Sequence, residues 1–182
     1  MEYRQASLGD LDAIANLHAK SWQETYTGIL SDEYLEGNVL QNRLDVWRKR
    51  LTNKNENQTV LLAEEANNLL GFICLMKAPS AKTILLDNLH IDSSHKGKGL
   101  GRRLIDRALS SLGDLEGVSL YLEVLAKNKN AINFYEKLEG KRTKANVWNS
   151  PCGSKVEEFV YVWPSTDALL ELLKCKVEVK QK

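Results

Sequence analysis

Three glycines and four cations share the stretch His95-Lys96-Gly97-Lys98-Gly99-Leu100-Gly101-Arg102-Arg103. Residues of these types at this spacing hold phosphate. Glycine lets backbone N–H groups approach an anion with no Cβ in the way, and Lys and Arg add charge. A strand-like run, Thr83 to Ile91, precedes the stretch. After it Leu100, Leu104, Ile105, Ala108, Leu109 and Leu112 recur at spacings of three and four, the period of a helix. The first N–H groups of a helix have no intrahelical partner and lie at the positive end of its dipole. A strand, a glycine turn and a helix in this order therefore make a seat for a pyrophosphate. Spacing excludes two phosphate motifs. A dinucleotide fingerprint counted from Gly97 needs glycine where Arg102 stands, and a P-loop needs a Gly-Lys-Ser/Thr ending that is absent here.

The spacing that fits is Lys96-x-x-Gly99-x-Gly101. It resembles the acetyl-CoA signature of the GNAT superfamily of N-acetyltransferases, Gln/Arg-x-x-Gly-x-Gly/Ala. Lys96 departs from the usual first residue and keeps its charge. A second run, Leu122 to Leu138, resembles the later family element in which a Leu-x-Val strand leads to an Asn and a helix carrying Ala and an aromatic–Tyr pair. Asn128, Ala131, Phe134 and Tyr135 fall at the matching positions. Glu139-Gly140 stands where the family usually has Gly-Phe, which leaves the start of the next strand open. The resemblance covers residues 1 to 163. It implies an α/β (α+β) fold with a mixed, mostly antiparallel central sheet and helices on both faces. It also implies acetyl-CoA as cofactor, CoA as product and direct attack by a primary amine in a ternary complex.

Carried residue by residue, the resemblance implies that Lys96, Gly97, Lys98, Gly99, Leu100, Gly101 and Arg102 surround the pyrophosphate, with Arg103 adding charge. The main chain of Leu89, His90 and Ile91 would line the pantetheine arm and offer an N–H to the thioester carbonyl. Asn128 reads as a helix cap that also lies beside the arm, and Tyr135 as the general acid for the leaving thiolate. An alkylammonium of pKa near 10.4 leaves only about one molecule in 2,500 as free amine at neutral pH, so a base is needed. Glu123, in the Leu-Glu-Val run, is the first candidate; it reads equally as a solvent-facing strand residue. Tyr135 reads also as a core residue packed on Phe134. His90 is the second candidate base. Strand alternation puts His90 and Asn88 on one face and Asp87 on the other with Leu89 and Ile91.

The acceptor side is thinner. Within Ser21 to Gly28, Trp22 and Tyr26 are candidate walls for an aliphatic or cationic amine, and Glu24 a partner for its charge. Trp22 and Tyr26 can equally pack between helix and sheet. Trp148 and Cys152 are further wall candidates, and Glu157 and Glu158 candidates for a second cation. The resemblance admits a small amine or a peptide or protein N-terminus as acceptor.

The rest of the chain must position these groups. Strands are expected at Glu2 to Gln5, Thr59 to Glu65, Leu69 to Met76, Thr83 to Ile91, Ser119 to Val124, Lys141 to Val147 and Val156 to Trp163, with a hairpin turn at Asn67-Asn68. Ser7 and Asp10 read as a capping pair before a helix with Leu8, Leu11, Ile14, Ala15 and Leu17 on one face. Ser31-Asp32 begin a shorter helix, and Leu40, Leu44, Trp47 and Leu51 mark another. The polar run Asn53 to Asn57 reads as a loop. A last helix opens at Pro164 to Asp167, and a charged tail ends the chain.

With 182 residues and 43% hydrophobic content, one N-acetyltransferase domain over 1–182, its last helix and tail from about 165, is expected. Lys and Arg total 25 against 24 acids, which gives no reason to expect nucleic acid or membrane as a partner. Three scattered cysteines and three histidines give neither a disulfide framework nor a metal site. No apolar run has membrane length and the N-terminus reads as a strand, so the cytoplasm is the expected location. The Leu169 to Leu173 stretch suits either a homodimer partner or the chain's own sheet. A non-catalytic acyl-CoA sensor is the alternative to an enzyme.

Overall fold

The computed structural model describes residues 1–53, 55–78 and 82–178. In chain order the elements are β1 (Glu2–Gln5), α1 (Leu11–Tyr26), a π-type turn (Tyr34–Asn38), α2 (Val39–Thr52), β2 (Gln58–Glu65), β3 (Asn68–Lys77), β4 (Thr83–Ile91), α3 (Leu100–Ser110), β5 (Ser119–Leu125), α4 (Lys129–Glu136), β6 (Lys141–Asn149), β7 (Lys155–Trp163) and α5 (Thr166–Glu178). The charged tail beyond 178 and Lys54 of the polar loop lie outside the described residues.

The strands form one seven-stranded sheet in the order β1-β2-β3-β4-β5-β7-β6. Every pairing is antiparallel except β4 with β5. The mixed, mostly antiparallel sheet expected from the sequence is therefore present. β3 shows why both faces are covered. Leu70, Phe72, Ile73, Cys74 and Leu75 are all buried, a run that only a strand packed on both sides can satisfy. On one face Leu100, Leu104, Ile105 and Leu109 of α3 join Ile132 of α4 and Leu169 and Leu173 of α5 in the larger core. On the other, Ile14, Ala15 and Leu17 of α1 meet Trp47 of α2 over Leu62 and Phe72. The leucines of α5 thus cover the chain's own sheet.

Local chemistry fixes the element ends. Asp10 Oδ2 accepts from the Ser7 N–H at 2.7 Å and from its hydroxyl at 2.9 Å, while Arg4 bridges Asp10 and Glu64. Asn128 Oδ1 caps α4 by accepting from the Ala131 N–H at 3.2 Å. The β2–β3 turn lies one residue earlier than expected. Ala66 and Asn67 take φ of 49° and 63°, and Asn68 already pairs with Glu65 as the first residue of β3. A two-residue turn of this hand needs two positive φ values, and the pairing of hydrophobic faces leaves Ala66 in one of them. At the end of α4, Glu139 takes the left-handed position, φ 65°. Gly140 is pressed on the Trp163 ring so closely that a Cβ would come within 2.5 Å of it. Packing claims the glycine at 140, and β6 starts at once at Lys141.

The feature that positions the site is a split in the sheet. β4 and β5 pair only over Thr83–Leu85 with Ser119–Tyr121. Beyond Leu85 the two strands separate, β4 continuing on β3 and β5 on β7. A bulge lies at the fork, where Cys74 faces Asn88 while Leu75 faces Leu86, so Asp87 is the extra residue.

Candidate functional site

The glycine turn sits at the open end of β4. Asp92 opens a short turn, Ser93–His95, by accepting from the Ser94 N–H at 3.0 Å, and the chain then passes through Gly97 and Gly99 at φ 76° and 77° into α3. Both values lie where an L side chain is strained, so the glycines are what allow the backbone to curl ahead of the helix. Gly101 has a different task. A Cβ there would lie 3.2 Å from Phe134 and 3.7 Å from Leu89, so its bareness lets α3 pack on α4 and on β4. Arg103 folds back to the Lys98 carbonyl at 3.1 Å and to Tyr3 at 3.2 Å, bracing the turn. Gly97, Lys96 and Lys98 are exposed, Arg102 is half-buried, and Leu100 anchors the helix start in the core.

The split supplies the slot beside the turn. Leu89, His90 and Ile91 keep β3 on one edge and have no strand on the other. Their free main-chain groups need a partner, and an extended amide-bearing arm provides one. Asn128, Tyr26 and Tyr135 come together at this slot. Burial pushes the Tyr26 hydroxyl up to about 12, against the pull of the Asn128 amide. Burial, and then the neighbouring Tyr26, raise Tyr135 further, so both phenols stay protonated at neutral pH. Tyr135 is 8% exposed, with its ring on Phe134 at 5.2 Å and on Trp163 at 6.0 Å. It is a core tyrosine and a phenol near the slot at once.

On the α1–α2 side the structure corrects the strand-alternation expectation. The bulge turns Asp87 to the α2 side, where Arg50 Nη1 binds it at 2.5 Å; Leu89 and Ile91 pack on the α3 side. His90 faces α1: its Nδ1 lies 2.9 Å from Ser21 Oγ and its ring lies over His18 at 4.2 Å. Burial, then the charges of Arg43 and Lys96, lower His90 to about 3. A neutral imidazole that weak is a poor acceptor for an ammonium proton. His18, 1% exposed, was not singled out by its sequence context. Its Nδ1 accepts from Trp47 Nε1 at 3.0 Å, and its Nε2 finds no partner. Only its place among buried helix positions could have signalled it.

Glu123 is exposed on β5, on the face opposite its core neighbours Leu122 and Val124. Asn146 of β6 reaches its Oε1 at 3.5 Å. Glu158, which pairs in register with Asn146, is 8% exposed. Burial first, and the Glu123 charge second, raise its carboxyl above the usual range. Glu123 and Glu158 thus form a coupled pair bridged by Asn146. Glu157 points to the opposite, exposed side. Trp22 meets Tyr26 at 5.3 Å, Tyr34 at 6.4 Å and Trp148 at 5.8 Å, and carries the Arg43 guanidinium over its face at 4.2 Å. Cys152 closes the same cluster. Glu24 stands apart from the acidic pair: its carboxylate meets Lys96 at 3.2 Å beside the glycine turn.

A glycine turn ahead of a helix, a free strand edge along a split sheet and a pair of carboxylates on the opposite face are the features that acyl transfer from an extended thioester calls for. The family model "Acetyltransferase (GNAT) family" matches residues 11–140, and the chain belongs to that family. It is similar to an uncharacterized N-acetyltransferase, YuaI, of Bacillus subtilis, 25% identical over 93% of this chain and 96% of that protein. It is also similar to a spermidine N(1)-acetyltransferase of Thermoplasma acidophilum, 30% identical over 75% and 86%. Among solved structures it resembles the PaiA N-acetyltransferase of Thermoplasma acidophilum in complex with coenzyme A, with a TM-score of 0.66, 25% identity and coverage of 86% and 96%. The protein is an acetyl-CoA-dependent N-acetyltransferase, and the glycine turn with its flanking cations and the free strand edge suit the pyrophosphate and the extended arm of that co-substrate. No helix among the described residues is long and apolar enough to cross a membrane.

Proposed function

We propose that the protein acetylates a small primary amine, with Glu123 as base and Tyr135 as acid. The observation that carries this reading is the coupled pair Glu123–Glu158 on the face where Trp22 and Trp148 stand, beside a His90 held neutral. An ammonium acceptor meets aromatic faces and two carboxylates, which attract it as a cation. Glu123, the exposed member, takes the proton directly or through a water, and the free amine attacks. Glu158 beside it, its carboxyl raised first by burial, favours its protonated form and can receive the proton that Glu123 takes.

Bound acetyl-CoA supplies an acetyl thioester, a carbonyl made electrophilic by a weakly basic thiolate leaving group. Gly97 to Gly101 and the cations around them would hold its pyrophosphate, and the free edge at Leu89, His90 and Ile91 its pantetheine arm. Tyr135, kept protonated, has a proton to give to the departing sulfur; Tyr26 and Asn128 fix the surroundings of its hydroxyl. A small amine agrees with the acceptor of the Thermoplasma relative, a spermidine N(1)-acetyltransferase. Cytoplasmic placement is part of the reading and agrees with Cys74, Cys152 and Cys175 all being free thiols.

CoA release is measured against polyamines, amino acids, aminoglycosides and short peptides, with Tyr135→Phe and Glu123→Gln alongside. Release with one acceptor class, reduced roughly a hundredfold or more in both variants, supports the reading. Full activity in both variants overturns the residue roles, and silence with every amine despite acetyl-CoA binding overturns the acceptor class.

A further inference from the structure

Arg43 carries a charge that the transfer itself does not use. It lies on α2, 8% exposed, with its guanidinium over the Trp22 ring. Its Nη2 donates to the Asn42 side-chain carbonyl, and its buried Nε meets no acceptor. Among the described residues no carboxylate forms an ion pair with it. Asp87, the acid whose charge reaches it, is already bound by Arg50. A guanidinium cannot shed its proton as a buried Lys can, so this one stays a cation in a dry place, with donors unspent. The Trp22 face, the Asn42 carbonyl and the Tyr34 hydroxyl offset part of that cost; none of them is an anion.

The guanidinium lies behind the wall of a cavity, and Arg43 is not itself among the residues that line it. This cavity, of about 450 Å³, opens between α2 and the β6–β7 hairpin, lined in part by Tyr34, Asn42 and Cys152. Tyr34 donates to the same Asn42 carbonyl that Arg43 uses, so the cavity wall and the guanidinium share an atom. Glu33 and Asp45 also line this cavity, on exposed positions where solvent screens them. In the other direction, Trp22 packs on Trp148, which lies two residues along β6 from Asn146, the bridge between Glu123 and Glu158. One pair of tryptophans thus separates an unpaired cation from a pair of carboxylates on the same side of the sheet.

We propose that Arg43 receives a carboxylate of the acceptor, so that the acceptor is an amine that also carries an acid group rather than a simple polycation. The planar fork suits a carboxylate held by two parallel hydrogen bonds. A polyamine laid across the same site would bring an ammonium toward a desolvated guanidinium and be disfavoured there. The inference rests on the reading that amine acetylation occurs beside Glu123.

The test compares molecules that differ at one group. L-lysine and L-glutamine are set against their α-carboxamides, and γ-aminobutyrate against butylamine, with spermidine as the polycation. Binding to the CoA-loaded enzyme is followed by calorimetry and turnover by CoA release. The carboxylate member of a pair binds at least about tenfold more tightly to the wild-type protein. Arg43→Gln loses that preference, Arg43→Lys keeps part of it, and acetyl-CoA affinity is the same in all three. The wild-type comparison stands even if Arg43→Gln does not fold. Equal binding within each pair, preference for the carboxamides or spermidine, or no binding by any member overturns the assignment. Carboxylate-dependent binding without CoA release upholds Arg43 and overturns the transfer reading. Turnover indifferent to the carboxylate does the reverse.

Discussion

The cofactor half and the acceptor half of this site are built from different materials. On the α3 side, the groups that the proposed reading offers to the ligand are main-chain: N–H groups ahead of α3 and the free edge of β4 beyond Leu85. Glycine conformations and a split between strands put them there, and the side chains nearby are exposed Lys96 and Lys98 or the brace Arg103. On the α1–α2 side the groups are side chains from distant segments: Trp22, Tyr34, Arg43, Glu123, Asn146, Trp148 and Glu158. Several are buried charges or coupled acids, and none means anything without its neighbours. A site made of backbone tolerates changes of side chain and depends on glycine. A site made of buried side chains depends on each one, and can change its ligand by changing one.

Substitutions should separate the two halves, and the largest effect belongs to the acceptor half. Glu123→Gln should lower kcat/KM roughly a hundredfold or more at neutral pH, with acetyl-CoA binding intact. His90→Gln should cost far less, because His90 is lowered to about 3 and has no proton-taking role at neutral pH. A pH–rate profile of both variants checks this, and the reverse ranking would break the division of roles.

In the cofactor half, Gly99→Val forces a β-branched residue into φ 77° and brings a Cβ to 3.2 Å from Arg103. Acetyl-CoA affinity should fall by about tenfold, consistent with strain of about 1–2 kcal/mol. The acceptor KM should not move, and calorimetry with acetyl-CoA measures the first part directly.

Stability should also report on the acceptor half. Burial, then the charges of His90, Arg43 and Arg50, lower His18 well below its ordinary value. The unfolded chain therefore takes up a proton at about 6.5 that the folded chain refuses. This contribution is fully present above 6.5 and is lost as pH falls through that value toward the lower folded one. The loss per such group is up to about 1.4 kcal/mol for each pH unit. Denaturant unfolding between neutral pH and pH 5 should show the decline, and His18→Gln should make it shallower, leaving the share of His90, which burial also lowers.

The smallest effect lies at the rim of the turn. Glu24→Gln removes an exposed partner of Lys96, and a surface ion pair is worth about 0–1 kcal/mol. Acetyl-CoA affinity should change by no more than a few fold, and toward tighter binding, since the freed Lys96 can meet the phosphates.

Much of the cofactor half could be read along the chain. The strand Thr83–Ile91 and the helix start at Leu100 have the bounds their patterns indicate, because the hydrophobic periods and the glycines are local signals. The fork between β4 and β5 follows the family resemblance, but the bulge at Asp87 does not show in the sequence. Alternation assumes an unbroken ladder, and one extra residue carried Asp87 across to Arg50. Glu24 lies between Trp22 and Tyr26 along the chain, and only the structure shows that its carboxylate also meets Lys96. Glu158 was one of two adjacent acids, and only burial and the register with Asn146 distinguish it from Glu157.

By itself the sequence determined where the glycine turn lies, which strand precedes it and which helix Asn128 begins. Those features depend on backbone conformations that individual residues prefer within a few positions of themselves. Only the tertiary structure decided which charges stay unpaired and which are coupled. Arg43, His18 and Glu158 acquire their chemistry from groups brought to them across the sheet, and from the water that packing removes.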